Sequence, residues 1–438
     1  MVLLLGPADG TEKMRTYVWS DGGEGEQSVR LRIIDRLLIP YETLGLARRL
    51  LTNSIGWSSV ARIDLLRAHS QDIVDALLGF ARGPEEGRQE EEFGAKMLSA
   101  TQKDQIDMLL NSAPLEDEDP EGHRDFLKNV CRARLTAVST VLALADSVLP
   151  LARDERPVDR EGREAPGVEE VEHAASRDHS SSAAKEQLQL SNIAFAATVF
   201  AGHHAKFDKL GVSSGANTVM VAALKYAASG YTVGIYDIDV HFAGGSQDIA
   251  FRWNKNNSEN DSKNNASGPR RGKVYLSDVY AAFFDKTVMG VRDIARHERA
   301  VKFGSASRQA GRELDGHLFF DHWPEDFTDE ALTSNTHDTI THFRDTLKVD
   351  IVFVFLGLDA AKGDLFSAQV TPRGFEAACA LLREQLSGAS IPCVFALGGG
   401  YRVTPEAGCE DTDDVGTTSV FGKCIQGALK GLCTATAC

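Results

Sequence analysis

Cysteine is sparse and unpaired in this sequence: seven residues in 438 (Cys131, Cys379, Cys393, Cys409, Cys424, Cys433 and Cys438), an odd number with no CxxC spacing. That excludes a disulfide scaffold and fits free thiols in a reducing compartment. Long apolar runs are lacking too. No stretch reaches the about 18 uncharged apolar residues of a membrane span, and Val2 to Leu5 is too short, and lacks the basic flank, for a signal peptide. Proline is scarce, at 13 residues, which removes collagen- and mucin-like readings. Positive charge is in deficit, with 47 Lys+Arg against 63 Asp+Glu and a net charge of −16, so the surface as a whole repels DNA and anionic membranes. An intracellular protein, nuclear or cytoplasmic, is expected, with neither nucleic acid nor membrane as a direct partner.

What is present is enough apolar matter, 42% of residues, to bury a sizeable core. The chain reads as one large α/β domain over residues 1–438 with three insertions, at 84–92, 153–185 and 254–271. Each lacks an apolar period, and the Asn/Ser-rich third one is expected to be a solvated loop. Arg30–Leu51, Ile63–Phe80 and Asp125–Leu151 carry apolar residues at spacings of three and four, which predicts helices. Beyond residue 190, short continuous runs rich in Val, Ile and Phe (Ile193–Phe200, Thr232–Tyr236, Val274–Leu276, Ile351–Leu356, Val394–Leu397) alternate with helix-like stretches (Thr218–Ala228, Leu332–Leu347, Gly374–Leu386). That alternation predicts a mainly parallel sheet flanked by helices on both faces.

Four of these strands end in polar segments: FAGHHAKFD, DIDVHFAGG, GLDAAKGD and GGGYR. Ligands of open α/β sheets bind outside the carboxyl ends of the strands, so His203, His204, Asp237, Asp239, His241, Asp359 and Tyr401 are expected at one edge. Asp239 and His241, two residues apart, project to one side. Alone the pair also fits an ion pair capping the strand; with Asp359 it becomes one imidazole and two carboxylates, an open ligand set for Zn²⁺ or Fe²⁺. Beside a metal, His203 and His204 can move protons near neutrality, and Asp237 can orient one of the rings. Gly398-Gly399-Gly400 lets the backbone approach closely and presents the Tyr401 phenol, a donor suited to a developing oxyanion. No Lys-Ser/Thr follows, so the triple glycine is not a phosphate loop.

Together these segments resemble the zinc-dependent histone deacetylase family, within the arginase/deacetylase fold, over about Arg30 to Arg402. GHHAKFD resembles its His-His motif, YDIDVHFAGGSQDIAF its metal motif, LGLDAAKGDLFSAQVTP its third-ligand segment and LGGGYR its tyrosine turn, while RLRIIDRLL and LLRAHSQDIVDAL resemble its upstream helices. The resemblance implies that Asp239, His241 and Asp359 bind zinc, that His203 and His204 handle protons with His204 as base, and that Tyr401 polarises the acyl carbonyl. It implies that Asp237 holds His203 and helps to bind a structural K⁺. The substrate it implies is an acylated lysine in a protein or peptide, histone tails included, met within a multiprotein complex.

Substrate contacts are expected from Asp117 (or Asp119), Val212, Ser213, Phe366 and Gly399. The apolar Phe366 stands where polyamine deacetylases carry an acid, which disfavours a polyamine substrate. The chain also departs from the family. Gly244 and Phe242 replace a carboxylate or amide that would orient His204 and a second histidine, leaving His204 without its expected partner. Val212 or Ser213 stands where an aromatic wall is usual, and Tyr280, Phe283 or Phe284 is expected to rebuild the opposite wall. A tunnel admitting acyl groups larger than acetyl follows. Two alternatives stand beside the deacylase: a metal-bound but catalytically weak acyl-lysine binder or scaffold, and a two-manganese ureohydrolase of the same fold.

Overall fold

A computed structural model describes residues 2–5, 26–44, 47–49, 57–82, 120–149, 192–198, 202–209, 216–263, 271–281, 312–403 and 417–433. In chain order its elements are β1 (Val2–Leu5), α1 (Glu26–Thr43), β2 (Ala47–Arg49), α2 (Arg62–Ala68), α3 (Gln71–Arg82), α4 (Pro120–Val148), β3 (Ile193–Ala196), α5 (Thr218–Ala228) and β4 (Val233–Asp237). There follow α6 (Gly244–Lys263), β5 (Val274–Ala281), β6 (Arg312–Leu314), β7 (His317–His322), α7 (Asp329–Thr341), β8 (Ile351–Leu356), α8 (Pro372–Gly388), β9 (Cys393–Leu397) and α9 (Val420–Cys433). The strands form one sheet in the order β2-β1-β3-β9-β8-β4-β5-β7-β6. Every pairing is parallel except β6 on β7 at the edge.

The continuous apolar runs have a simple cause. Successive residues of a strand face opposite sides, and both sides are covered. Ile351, Phe353, Val394 and Ala396 pack into a cluster shared with α2 to α6, while Val352, Val354, Cys393 and Phe395 pack into a second with α1, α7, α8 and α9. Parallel strands joined by helical crossovers leave neither face to water. The α9 helix, beyond the expected coverage, lies on α8 through Gly427 and Gly431, where an added Cβ would meet Pro372 O at 2.2 Å and Glu376 O at 2.3 Å. The cysteines Cys131, Cys379, Cys393, Cys424 and Cys433 are buried free thiols. Among the described residues no helix is long and apolar enough to cross a membrane.

Several expectations are corrected. The insertion expected as a loop over 254–271 is helical in its first part, where α6 continues to Lys263, and its residues 264–270 lie outside the described residues. Two of its amides, Asn254 and Asn257, are used at the end of the neighbouring strand, while Lys255, Asn256, Ser258 and Glu259 are exposed. Asn254 donates to Val274 O (2.7 Å) and accepts Val274 N–H (3.0 Å), serving the end of β5 as another strand would, and Trp253 Nε1 and Asn257 Nδ2 both donate to Gly272 O. Composition reads such a run as solvated; hydrogen bonds to a strand end override it. The first helix stops at Thr43 and its expected tail supplies β2. The Ile63–Phe80 helix is broken at His69, which adopts an extended conformation (φ −132°, ψ 153°). The insertions at 84–92 and 153–185 lie outside the described residues.

Candidate active site

Four adjacent strands, β3, β9, β8 and β4, carry the site on their carboxyl ends. The loop after β4 bends so that Asp239 Oδ1 accepts the His241 N–H (3.0 Å) and lies 2.8 Å from His241 Nδ1. From the neighbouring β8, Asp359 Oδ1 accepts the Val240 N–H (3.1 Å) and Oδ2 lies 3.1 Å from His241 Nδ1. Ligand atoms of Asp239, His241 and Asp359 all fall within 4.8 Å of one another, and all three residues are buried.

This trio has the character of a cation site. Asp359 Oδ2 is buried and faces the His241 ring nitrogen at 3.1 Å, an arrangement that costs free energy unless a positive charge, an imidazolium or a bound cation, stands opposite it. Only glycine fits around the carboxylates. A Cβ at Gly399 would meet Asp359 Oδ2 at 2.3 Å and Asp239 Oδ2 at 2.7 Å, and one at Gly357 would meet Asp239 Oδ2 at 2.5 Å. The electrostatics agree. Burial, and then the charge of Asp239, raise the Asp359 pKa to about 7. Burial opposes protonation of His241, but its hydrogen bonds to Asp239 and Asp359 prevail and raise it to about 11. Burial likewise opposes ionisation of Asp239, yet His203 and His241 hold its pKa well below the usual carboxylate range. With the protein's own groups alone, two buried carboxylates keep a proton on the imidazole between them.

His203 and His204 follow β3 in a turn opened by Gly202, whose φ of +77° and approach to Ala216 O suit no larger residue. The rings form a series. Asp237 Oδ2 lies 3.0 Å from His203 Nδ1, and His203 Nε2 lies 3.1 Å from His204 Nε2. Phe355 of β8 stacks on His203 with centroids 4.3 Å apart and planes 5° from parallel. Burial lowers the His203 pKa, but the charges of Asp237 and Asp239 outweigh it and the net direction is up. For His204, burial and the neighbouring His203 and His241 act together and push the pKa well below 6.5. Of the two rings, His203 is therefore the more readily protonated and His204 the less. Among the described residues His204 has a single hydrogen-bond partner, His203. Gly244 brings no side chain to it and instead starts α6.

Sequence reading missed what fixes this turn. His69, at the break between α2 and α3, reaches Lys206 O through Nδ1 (2.9 Å) and accepts the Asn217 N–H at Nε2 (3.0 Å). Burial lowers its pKa to about 4, so it stays neutral and can do both. Asn217 in turn reaches Ala205 O (3.3 Å) and Ser246 Oγ (3.0 Å). The polar His69-Ser70 pair inside an otherwise periodic helical stretch was the available signal.

Tyr401 follows β9 and is half-buried. Its ring meets Phe366 edge-on at 5.6 Å, and Phe366 meets His241 in the same way at 4.4 Å. The structure thus brings together His203, His204, Asp237, Asp239, His241, Asp359, Phe366, Gly399 and Tyr401. Gly399 lies beneath the carboxylates and donates its N–H to Asp239 Oδ2 (3.1 Å). Asp117, Val212, Ser213, Phe283 and Phe284 lie outside the described residues. Tyr280 does not form a tunnel wall as expected. It is 1% exposed and packs edge-on against Phe242 at 5.0 Å, because Phe242 turns into the core rather than toward the site.

The sequence matches the family model described as a histone deacetylase domain over residues 26–411. Among solved structures the chain is similar to the HD domain of HDA15, with a TM-score of 0.57 and 16% identity over 98% of this chain and 89% of that one. It is also similar to an acetylpolyamine aminohydrolase from Burkholderia pseudomallei, with a TM-score of 0.53 and 14% identity over 99% and 98% of the two chains. No curated protein matches the sequence. At these identities the two structures speak for the fold alone.

Proposed function

From the premise that this chain belongs to the histone deacetylase domain family, we propose that it is a zinc-dependent hydrolase that removes acyl groups from lysine side chains of proteins. The observation that carries the reading is the buried Asp239-His241-Asp359 cluster beside a histidine pair and a tyrosine. A zinc ion held by these three residues would supply a Lewis acid that polarises the acyl carbonyl and the attacking water. Zinc suits one imidazole and two carboxylates with positions left open.

The chain's own residues do the rest. His204, neutral and poised by His203, accepts the proton of the attacking water. His204 then returns that proton to the departing lysine amine, while His203, held by Asp237, orients the His204 ring. Tyr401 donates its hydroxyl to the oxyanion as the carbonyl becomes tetrahedral. Phe366, bridging His241 and Tyr401, gives the mouth an apolar wall for the lysine methylenes and offers nothing to the second ammonium of a polyamine. The K⁺ implied near Asp237 belongs to the same proposal and rests on the family resemblance. Asp237 itself spends its oxygens on the Asp239 N–H (3.1 Å) and on His203. Histone tails, a multiprotein complex and a nuclear or cytoplasmic setting are likewise proposed on the resemblance.

Turnover of an acyl-lysine peptide series, from acetyl to long chains, with acetylated polyamines alongside and zinc present or removed, tests the reading. Zinc-dependent release from lysine peptides, with longer acyl groups handled at least as well as acetyl, is expected. Preference for polyamines would overturn the substrate class. Metal bound without turnover would favour the second reading, an acyl-lysine binder or scaffold, which the missing carboxylate partner of His204 motivates. The ureohydrolase alternative is disfavoured because Asp239, His241 and Asp359 are the one group of candidate ligands among the described residues, and a second metal would need more.

The pKa pattern adds an expected pH dependence. An entering cation displaces the proton of His241, whose pKa is about 11, and below about 7 it also displaces that of Asp359. Binding therefore releases protons, and affinity rises with pH, by about tenfold per unit above neutrality and more steeply below it. Calorimetric titration in buffers of different ionisation enthalpy measures the released protons; a pH-independent affinity would contradict the site as described.

A further inference from the structure

The turn that presents Tyr401 makes no regular secondary structure over residues 401–403, so its backbone groups must find partners elsewhere. They do so on one side chain. Asp364, on the loop that follows the metal-ligand candidate Asp359, is 6% exposed. Its Oδ2 accepts the N–H of Tyr401 (3.0 Å) and of Arg402 (3.1 Å), and its Oδ1 accepts its neighbour's N–H at Leu365 (2.7 Å). The turn is tied down from the other side by α9, where the Phe421 N–H donates to Arg402 O (3.1 Å). Gly363, just before Asp364, has a φ of +94° and lies against Val420 of the same helix.

We infer that Asp364 is a positioning residue for Tyr401: its carboxylate clamps the tyrosine turn to the loop that carries Asp359 and Phe366. One carboxylate oxygen receiving two consecutive backbone N–H groups fixes the direction in which the intervening Cα projects its side chain. Charge-assisted bonds to a buried carboxylate are the strong ones. The same carboxylate, through Leu365, sets the start of the segment bearing Phe366, whose ring touches both His241 and Tyr401. Asp364 does not touch the reacting atoms in this arrangement; it acts through Tyr401. The inference rests on the deacylase reading for its catalytic consequence, whereas the clamp itself is a matter of geometry.

The test uses the full, zinc-loaded chain. Asp364→Ala is expected to lower kcat by about a hundredfold, the scale of a reacting group displaced by an ångström, with KM and bound zinc little changed. Asp364→Asn, whose amide oxygen can still accept both turn N–H groups while its NH2 loses the Leu365 N–H, is expected to recover part of that loss. In a Tyr401→Phe background Asp364→Ala should add little, since both changes remove the same contribution. Backbone amide exchange should quicken at Tyr401 and Arg402 in Asp364→Ala. If that variant does not fold, Asp364→Glu, which displaces the carboxylate by one methylene, takes its place with the same expectations. Wild-type kcat in the variant, a loss that multiplies with that of Tyr401→Phe, or loss of zinc in step with activity would each overturn the inference. A wild-type chain that turns over no acyl-lysine substrate would instead overturn the functional reading, and amide exchange would still decide whether Asp364 holds the turn.

Discussion

Replacing Asp239 with alanine is expected to abolish hydrolysis, a fall of about a thousandfold or more, equivalent to about 4 kcal/mol of transition-state stabilisation. The size follows from how many parts meet at this one carboxylate. Oδ1 accepts both the N–H and the ring nitrogen of His241, and Oδ2 accepts the Gly399 N–H from the turn after β9. His203 Nε2 stands 3.7 Å from Oδ1. Alanine would remove one of three candidate ligands, leave His241 held by Asp359 alone, and release the loop that leads to Tyr401. Metal content per chain, measured together with turnover, checks it: loss of both is expected, and retention of tightly bound zinc would remove Asp239 from the ligand set.

Tyr401→Phe is expected to lower kcat by about a hundred- to a thousandfold, the usual cost of removing one donor to an oxyanion in a water-poor site. KM and zinc content should hardly move. The ring's edge-on contact with Phe366 survives the substitution, so the packing of the mouth is kept and only the hydroxyl is lost. Steady-state kinetics on the best acyl-lysine peptide separates the outcomes. A raised KM with unchanged kcat would mean that Tyr401 binds substrate rather than stabilising the oxyanion.

Both substitutions fall on residues that the amino-acid order alone singles out. A strand ending in Asp-x-His, another in Asp, another in Gly-Gly-Gly-Tyr and a fourth in His-His are local signals. Each depends on which residue types stand next to each other, and the buried strands announce themselves by apolar runs of about four to six residues. Where local signals compete with long-range contacts, sequence reading went astray. The Asn/Ser run after Trp253 is polar enough for a loop, yet two of its amides, Asn254 and Asn257, are committed to β5 and Gly272. The stretch over 63–80 is periodic throughout, yet the helix breaks where His69 is drawn to Lys206 and Asn217, more than a hundred residues away.

By itself, then, the sequence determined the class of fold and the kinds of group available: a parallel sheet buried on both faces, and carboxylates, imidazoles and a phenol at strand ends, because residue type and periodicity act over a few positions. Tertiary structure alone decided which of these groups meet. The order β3-β9-β8-β4 sets Asp239 beside Asp359 and Gly399, residues separated by 120 and 160 positions along the chain. It also left His204 to lean on His203, turned Phe242 into the core and gave Asp364 the backbone of Tyr401 to hold. Strand order is settled by the packing of whole helices against whole sheet faces, a sum over distant contacts that no local pattern contains.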